Sequence, residues 1–217
     1  MTGPIKIWTY DWVPDEPRGF VRDLRLRWAC EEMGLPYEVG TVPFDGRETN
    51  HLDRQPFGQV PFLDDGDLRL FESGAGLLHL ARKSDLLMPS GRVEAAQVEQ
   101  WIIAALNSIE MVTMPWVVLT WSGQQSDAIE GWLDKRLGQI EAVLSEREYL
   151  VGDGFTAADL LMADVLRLDL LRAHGARPAS EAYVGRMLSR PAFKKALADQ
   201  LAHFAAADEM RKEETAR

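Results

Sequence analysis

Two short clusters carry residue types that suit the ends of a small charged peptide. In the first, Glu72 precedes Ser73 at the start of an apolar stretch with helical spacing. A helix that begins at Ser73 aims free backbone N–H groups and the positive end of its dipole at a carboxylate, and the serine hydroxyl adds a donor. Glu72 can pair with an ammonium group, so the two residues match the two charges of an amino-acid end. Taken alone, Glu-Ser before a helix is more often a simple cap. Its place eleven residues after Val60-Pro61 raises it above that. A cis bond before Pro61 would leave the N–H and C=O of Val60 unpaired by a sheet, so that an extended peptide can dock there as an added strand. An ordinary trans proline opening an edge strand is the plainer alternative.

Other chemistry-bearing residues are less informative. Arg18, Arg22, Arg25 and Arg27 stand against Asp23 alone in a ten-residue stretch. This local positive excess can attract an anion, although for Arg25 and Arg27 a solvated helix face is the preferred reading. Cys30 has no partner two or three residues away, which excludes a CxxC disulfide exchanger, and it reads as a core residue. His51, His79, His174 and His203 show no mutual spacing that ligates a metal, so no metal is expected.

The elements that must position these residues follow from periodicity. IKIWTY reads as a strand, and the DWVPDEPRG that follows it as a loop. From 20 to 33, Leu26, Ala29, Cys30 and Met33 recur at helical spacing until Gly34 and Pro36 stop the run. YEVGTV is a second strand, and the polar stretch 45–55 reads as a short irregular helix. VPFL and LRLF flank Asp65-Gly66, a hairpin turn signal, and a helix follows from Ser73. The order βαβαββα calls for a right-handed parallel crossover and then a hairpin. Beyond this, Val98, Trp101, Ile102, Ala105, Ile109 and Val112 trace one helical face, and Ile129, Leu133, Leu137, Ile140 and Leu144 another. The division therefore falls at residues 86–92, a linker. It separates an α/β N-terminal domain of residues 1–85 from an all-α C-terminal helical bundle of residues 93–217.

Bulk properties bound the function. A chain of 217 residues is comfortable for two domains. With 24 Lys+Arg against 34 Asp+Glu and a formal charge of −10, its field repels phosphate backbones and anionic lipid, so neither nucleic acid nor membrane is an expected partner. One cysteine and the absence of a secretory-type start favour a reducing cytoplasm.

Gln55, Pro56, Gly58, Val60, Pro61 and Leu63 resemble the N-P-x-G-x-V-P-x-L pattern of the glutathione S-transferase family, and F-E-S-G-A resembles its E-S-x-A motif. GFTAADLLMADV, with Thr156 and Asp159 at N-capping-box spacing, is similar to the family's C-terminal capping motif. RLRWACEEMGLPYEV and SRPAFKKAL resemble its first helix and its usual ending. The resemblance implies a thioredoxin-like N-terminal domain and a cytoplasmic, homodimeric enzyme that adds the thiolate of glutathione, its co-substrate, to a small apolar electrophile. It implies that Val60, Pro61, Glu72 and Ser73 bind glutathione, with Gln59 or Arg47 near its glycine end, and that Met111, Met114 and Trp116 line the pocket of the second substrate. Family members activate the thiol with Ser, Tyr or Cys. The position of the Ser or Cys holds Phe20 here, and neither residue occurs in 1–29. IWTYDW, followed after a longer loop by Arg18-Gly19, resembles the Tyr-type classes, whose tyrosine ends the first strand before an Arg-Gly, and the resemblance implies Tyr10 as the hydroxyl donor, with a packed strand tyrosine as its alternative. Thr9, Trp12, Arg18 and a backbone N–H are further candidate donors. A glutathione-binding carrier without turnover and a glutathione-dependent reductase or peroxidase are the alternative functions.

Overall fold

The computed structural model describes residues 4–215. Four strands, β1 (Ile5–Tyr10), β2 (Tyr37–Val42), β3 (Phe62–Asp65) and β4 (Leu68–Phe71), form one sheet in the order β2-β1-β3-β4. β1 and β2 run parallel, joined through helix α1 (Asp23–Met33), while β3 is antiparallel to both β1 and β4. Helix α2 (Ser73–Ala81) follows β4. Alternation along β1 puts Ile5, Ile7 and Thr9 into the core and leaves Lys6, Trp8 and Tyr10 half-buried on the other face.

Residues 45–55 form a run of turns rather than a regular helix. Polar side chains here compete for the main chain: Asn50 Nδ2 donates to the Asp45 carbonyl at 2.9 Å and Thr49 Oγ1 to that of Gly46 at 3.1 Å.

The chain packs as two compact units. One joins residues 4–80 to the last helix, α8 (Pro191–Thr215), and the other spans residues 81–190. In the first unit α1 lies between the sheet and α8, and is consequently buried almost all round from Asp23 to Cys30. Trp28, fully buried, meets the Phe193 ring edge-on at 4.8 Å. The burial of Arg25 and Arg27 corrects the solvated-face reading: Arg25 reaches Ser73 at the start of α2, while Arg27 pairs with Asp23 on the side that meets α8.

The second unit contains α3 (Arg92–Ala104), a π-helical segment (Ala105–Glu110), α4 (Met111–Trp121), α5 (Asp127–Ser145), α6 (Ala157–Leu166), a 3₁₀ turn (Asp169–His174) and α7 (Pro178–Leu188). The run 92–121 is long and apolar enough to cross a membrane by composition alone. Its buried residues Val98, Ile102, Ala105, Ile109 and Val112 recur on one face, as in the core helix of a bundle. Helix α6 is buried at every position. The Thr156–Asp159 capping box is formed, and the buried Asp159 carboxylate also accepts the Leu150 amide at 2.9 Å and the Tyr183 hydroxyl at 2.9 Å.

Asp159→Ala strips acceptors from the buried amides of Leu150 and Thr156 and from Tyr183 at once. At about 1–3 kcal/mol for each buried donor left unsatisfied, the expected loss is about 3–5 kcal/mol. Urea unfolding of the variant measures it.

Candidate functional site

The hydrogen-bond register builds the site. Phe62 is opposite Phe71 in the β3–β4 ladder and opposite Trp8 in the β1–β3 ladder. One step further along the same ladders, the Val60-Pro61 bond, the Glu72-Ser73 pair and the end of β1 come together at one end of the sheet. The Val60-Pro61 bond is cis.

The loop leading to it is stitched by Gln55, whose buried side-chain oxygen accepts the amides of Phe57 at 2.6 Å and Gln59 at 3.1 Å. Gly58 is required there. It has φ of 65°, and a Cβ would lie 2.4 Å from the Arg47 carbonyl oxygen. Val60 is half-buried and Gln59 exposed, while the Arg47 guanidinium sits over the Phe44 ring at 4.4 Å. The sequence pattern includes Gln55 as a motif residue, but its loop-stitching role shows only in the structure.

Glu72 is exposed and takes a left-handed backbone, φ 71°, a conformation that side chains other than glycine rarely adopt. Its carbonyl accepts the Gly76 amide, which ties the strained residue into the first turn of α2. Ser73 is buried, and Arg25 Nη1 donates to its hydroxyl oxygen at 3.1 Å. Arg25 thus supports the α2 start from beneath, a role that the sequence reading missed. Its only signal in the sequence is a guanidinium two residues into a helix that follows a strand.

Tyr10, Trp12 and Arg18 each hold a protein partner. Tyr10 donates its hydroxyl to the Gly58 carbonyl at 3.0 Å, and its ring packs edge-on against Phe44 at 5.3 Å. Burial pushes that hydroxyl above its ordinary value. The Tyr10 hydroxyl thus already has a main-chain partner. Thr9 is fully buried, on the opposite face of β1. Trp12 Nε1 donates to Asp208 of α8 at 2.7 Å, and Arg18 grips the same carboxylate through Nη1 at 2.6 Å and Nη2 at 2.7 Å while also donating to the Val13 carbonyl. Phe20 is partly exposed just before α1. Beside these residues an open cleft of about 970 Å³ is lined by Trp12, Pro14, Arg18, Asp208, Arg211 and Lys212.

In the helical unit Met111 is exposed and Met114 half-buried. Trp116 is buried with its ring edge-on to His174 at 4.6 Å. Among the described residues no group of His, Cys, Asp and Glu is arranged to hold a metal ion.

Two family models match the chain: the glutathione S-transferase N-terminal domain over residues 17–82 and the C-terminal domain over 111–191. The chain belongs to the glutathione S-transferase family. Glutathione S-transferase 1 of Zea mays is 35% identical over 192 residues, which cover 80% of this chain and 90% of that protein. Among solved structures, the glutathione S-transferase-I bound with lactoylglutathione is 31% identical, with a TM-score of 0.72, and the match covers 90% of this chain and 99% of that one. Glutathione transferase F7 from Populus trichocarpa superposes with a TM-score of 0.73 at 28% identity, covering 91% and 99%.

The Arg18 and Trp12 hydrogen bonds hold the Asp208 carboxyl well below the usual carboxylate range. A depressed folded value means that the tether of α8 to the β1–α1 loop is fully present above the ordinary carboxylate pKa, about 4, and is lost as pH falls through the folded value. The protection of the 12–18 amides relative to their intrinsic exchange rates should therefore fall in strong acid. Asp208→Asn should show fast exchange already at neutral pH.

Proposed function

We propose that this protein is a glutathione transferase whose residues 1–85 bind glutathione as co-substrate and transfer its sulfur to a small apolar electrophile. The observation that carries the reading is the juxtaposition, at one sheet end, of the half-buried Val60 backbone and the Glu72-Ser73 step, where Glu72 takes a left-handed backbone at the start of α2. The Val60 backbone takes the cysteinyl unit as an added strand. Ser73 and the start of α2 take the γ-glutamyl carboxylate, and Glu72 takes its ammonium group. The Trp12 indole, in the open cleft beside the β1–α1 loop, supplies apolar surface to the second substrate.

Thiol activation falls to the main chain. Tyr10, Trp12 and Arg18 all hold other partners, so the amides that open α1 after Phe20, with the positive end of that helix, stabilise the thiolate. Arg18 acts as a positioning residue for the loop. The same commitment of side-chain donors favours a second reading, a glutathione-binding carrier with little turnover. Leu68 and Phe71, exposed on the edge strand β4, and the exposed Phe57 support assembly as a homodimer. A single, fully buried cysteine suits a reducing cytoplasm.

Ser73→Ala and Glu72→Ala should each weaken glutathione binding about tenfold or more, the loss of one hydrogen bond to a charged group. Calorimetry that finds unchanged affinity in both variants would remove the binding site.

Phe20→Ser places a hydroxyl where Ser-type relatives carry theirs. The bound thiol pKa should fall and turnover of an aryl halide at neutral pH should rise by about tenfold. Tyr10→Phe should leave the thiol pKa unchanged and loosen the 45–58 loop. A raised thiol pKa in Tyr10→Phe would return the tyrosine to catalysis. Glutathione binding with no turnover of aryl halides, peroxides or disulfides would establish the carrier.

A further inference from the structure

The protein uses only half of the Ser73 hydroxyl. Its oxygen accepts Arg25 Nη1 at 3.1 Å, yet its O–H donates to no group among the described residues. A guanidinium carries five donors and no acceptor, whereas a hydroxyl carries one donor and two lone pairs. The sense of the bond is therefore fixed, and the Ser73 proton is turned away from Arg25. Ser73 is buried but not sealed, since it is 6% exposed and follows the exposed Glu72. An O–H with little access to water and no acceptor is costly, and a carboxylate is the strong way to satisfy it.

Packing holds this pair in place. α2 lies close to α1 at Gly76, where a Cβ would be 3.1 Å from Leu26 Cδ2 and 3.0 Å from Leu63 Cδ2. Glycine lets the two helices approach. Arg25 is the neighbour of Leu26, and Ser73 lies about one turn before Gly76, so the same approach brings guanidinium and hydroxyl together. Arg25 is 3% exposed, and a charge so enclosed is little screened by salt.

We infer that Arg25 is a positioning residue for the γ-glutamyl carboxylate of glutathione, acting through Ser73. It directs the hydroxyl proton away from the protein interior, strengthens it as a donor by polarising the oxygen, and sets a positive charge one hydroxyl behind the anion. Arg25 thereby selects ligands that carry a carboxylate at that end. The inference rests on the glutathione-binding reading of Glu72-Ser73. A role confined to bracing α2 would weaken every ligand of the site alike.

Calorimetry with glutathione and with 4-aminobutyryl-cysteinylglycine, which keeps the ammonium group but lacks the adjacent carboxylate, tests it. The wild type should bind the analogue about tenfold or more weakly than glutathione. Arg25→Gln should weaken glutathione about tenfold and leave the analogue unchanged, while Arg25→Lys, which keeps the charge without the planar fork, should recover part of the loss. The double variant Arg25→Gln/Ser73→Ala should bind glutathione about as weakly as the weaker of the two single variants, because the pair acts as one unit. Equal weakening of both ligands in Arg25→Gln, wild-type glutathione affinity in that variant, or effects of the two substitutions that multiply would each overturn the proposal. If circular dichroism shows that Arg25→Gln does not fold, the ratio of the two affinities in Arg25→Lys decides, and a wild-type ratio overturns the proposal. Unchanged glutathione affinity in Ser73→Ala would instead remove the binding site itself, and the proposal with it.

Discussion

A carboxylate with no access to water ties the glutathione-binding unit together. Asp23, fully buried at the start of α1, accepts Arg27 Nε at 2.7 Å and Gln200 Nε2 of α8 at 2.6 Å. Gln200 also donates to the Val21 carbonyl at 2.9 Å, in the turn that opens α1. Charges removed from water at this cost persist only when each is paired and hydrogen-bonded. The arrangement therefore fixes α8 against the helix whose first amides face the proposed thiolate. His203 repeats the device one turn along α8, with its Nε2 at 2.9 Å from the Tyr10 carbonyl oxygen, and Asp208 repeats it again on Trp12 and Arg18. Three successive anchors on one helix pin the end of β1, the loop after it and the start of α1.

That reliance on α8 explains which parts of the molecule were legible in the sequence. The cis Pro61 and the strained Glu72-Ser73 step are main-chain tasks, and they leave short, local traces: a proline at a strand start, and a serine at a helix start. The strands, α1 and the capping box before α6 declare themselves in the same local way. Arg25 and Arg27 do not, because their partners come from the fold: Arg25 meets Ser73 at the start of α2, and the Asp23–Arg27 pair meets Gln200 of α8, far along the chain. Two arginines beside one aspartate look like a solvated face until α2 and α8 are laid against them. The 45–55 stretch misleads for a different reason, since side chains that cap turns and side chains that tolerate a short helix overlap in type. Tyr10 has the residue type expected for catalysis, and the Gly58 carbonyl that its hydroxyl meets is placed by the tertiary fold, out of reach of local sequence.

The fate of the arginines also changes the electrostatic account of the site. A positive patch from Arg18 to Arg27 would attract anionic glutathione through its field. In the folded chain Arg18 is neutralised by Asp208 and Asp15, and Arg27 by Asp23. With the protein at −10 overall, long-range attraction has little to offer an anionic tripeptide. On the proposed binding mode, recognition acts at contact distance, through amides at Val60 and at the start of α2 and through Glu72 on the ammonium group. On the same reading the amides that open α1 are fixed before the ligand arrives, so they need no reorganisation when the thiol ionises. The elaborate anchoring of α8 follows from this. A site built from main-chain dipoles works only where the main chain is held still, and the buried Asp23 of α1 with Gln200, His203 and Asp208 of α8 holds the end of β1 and the start of α1.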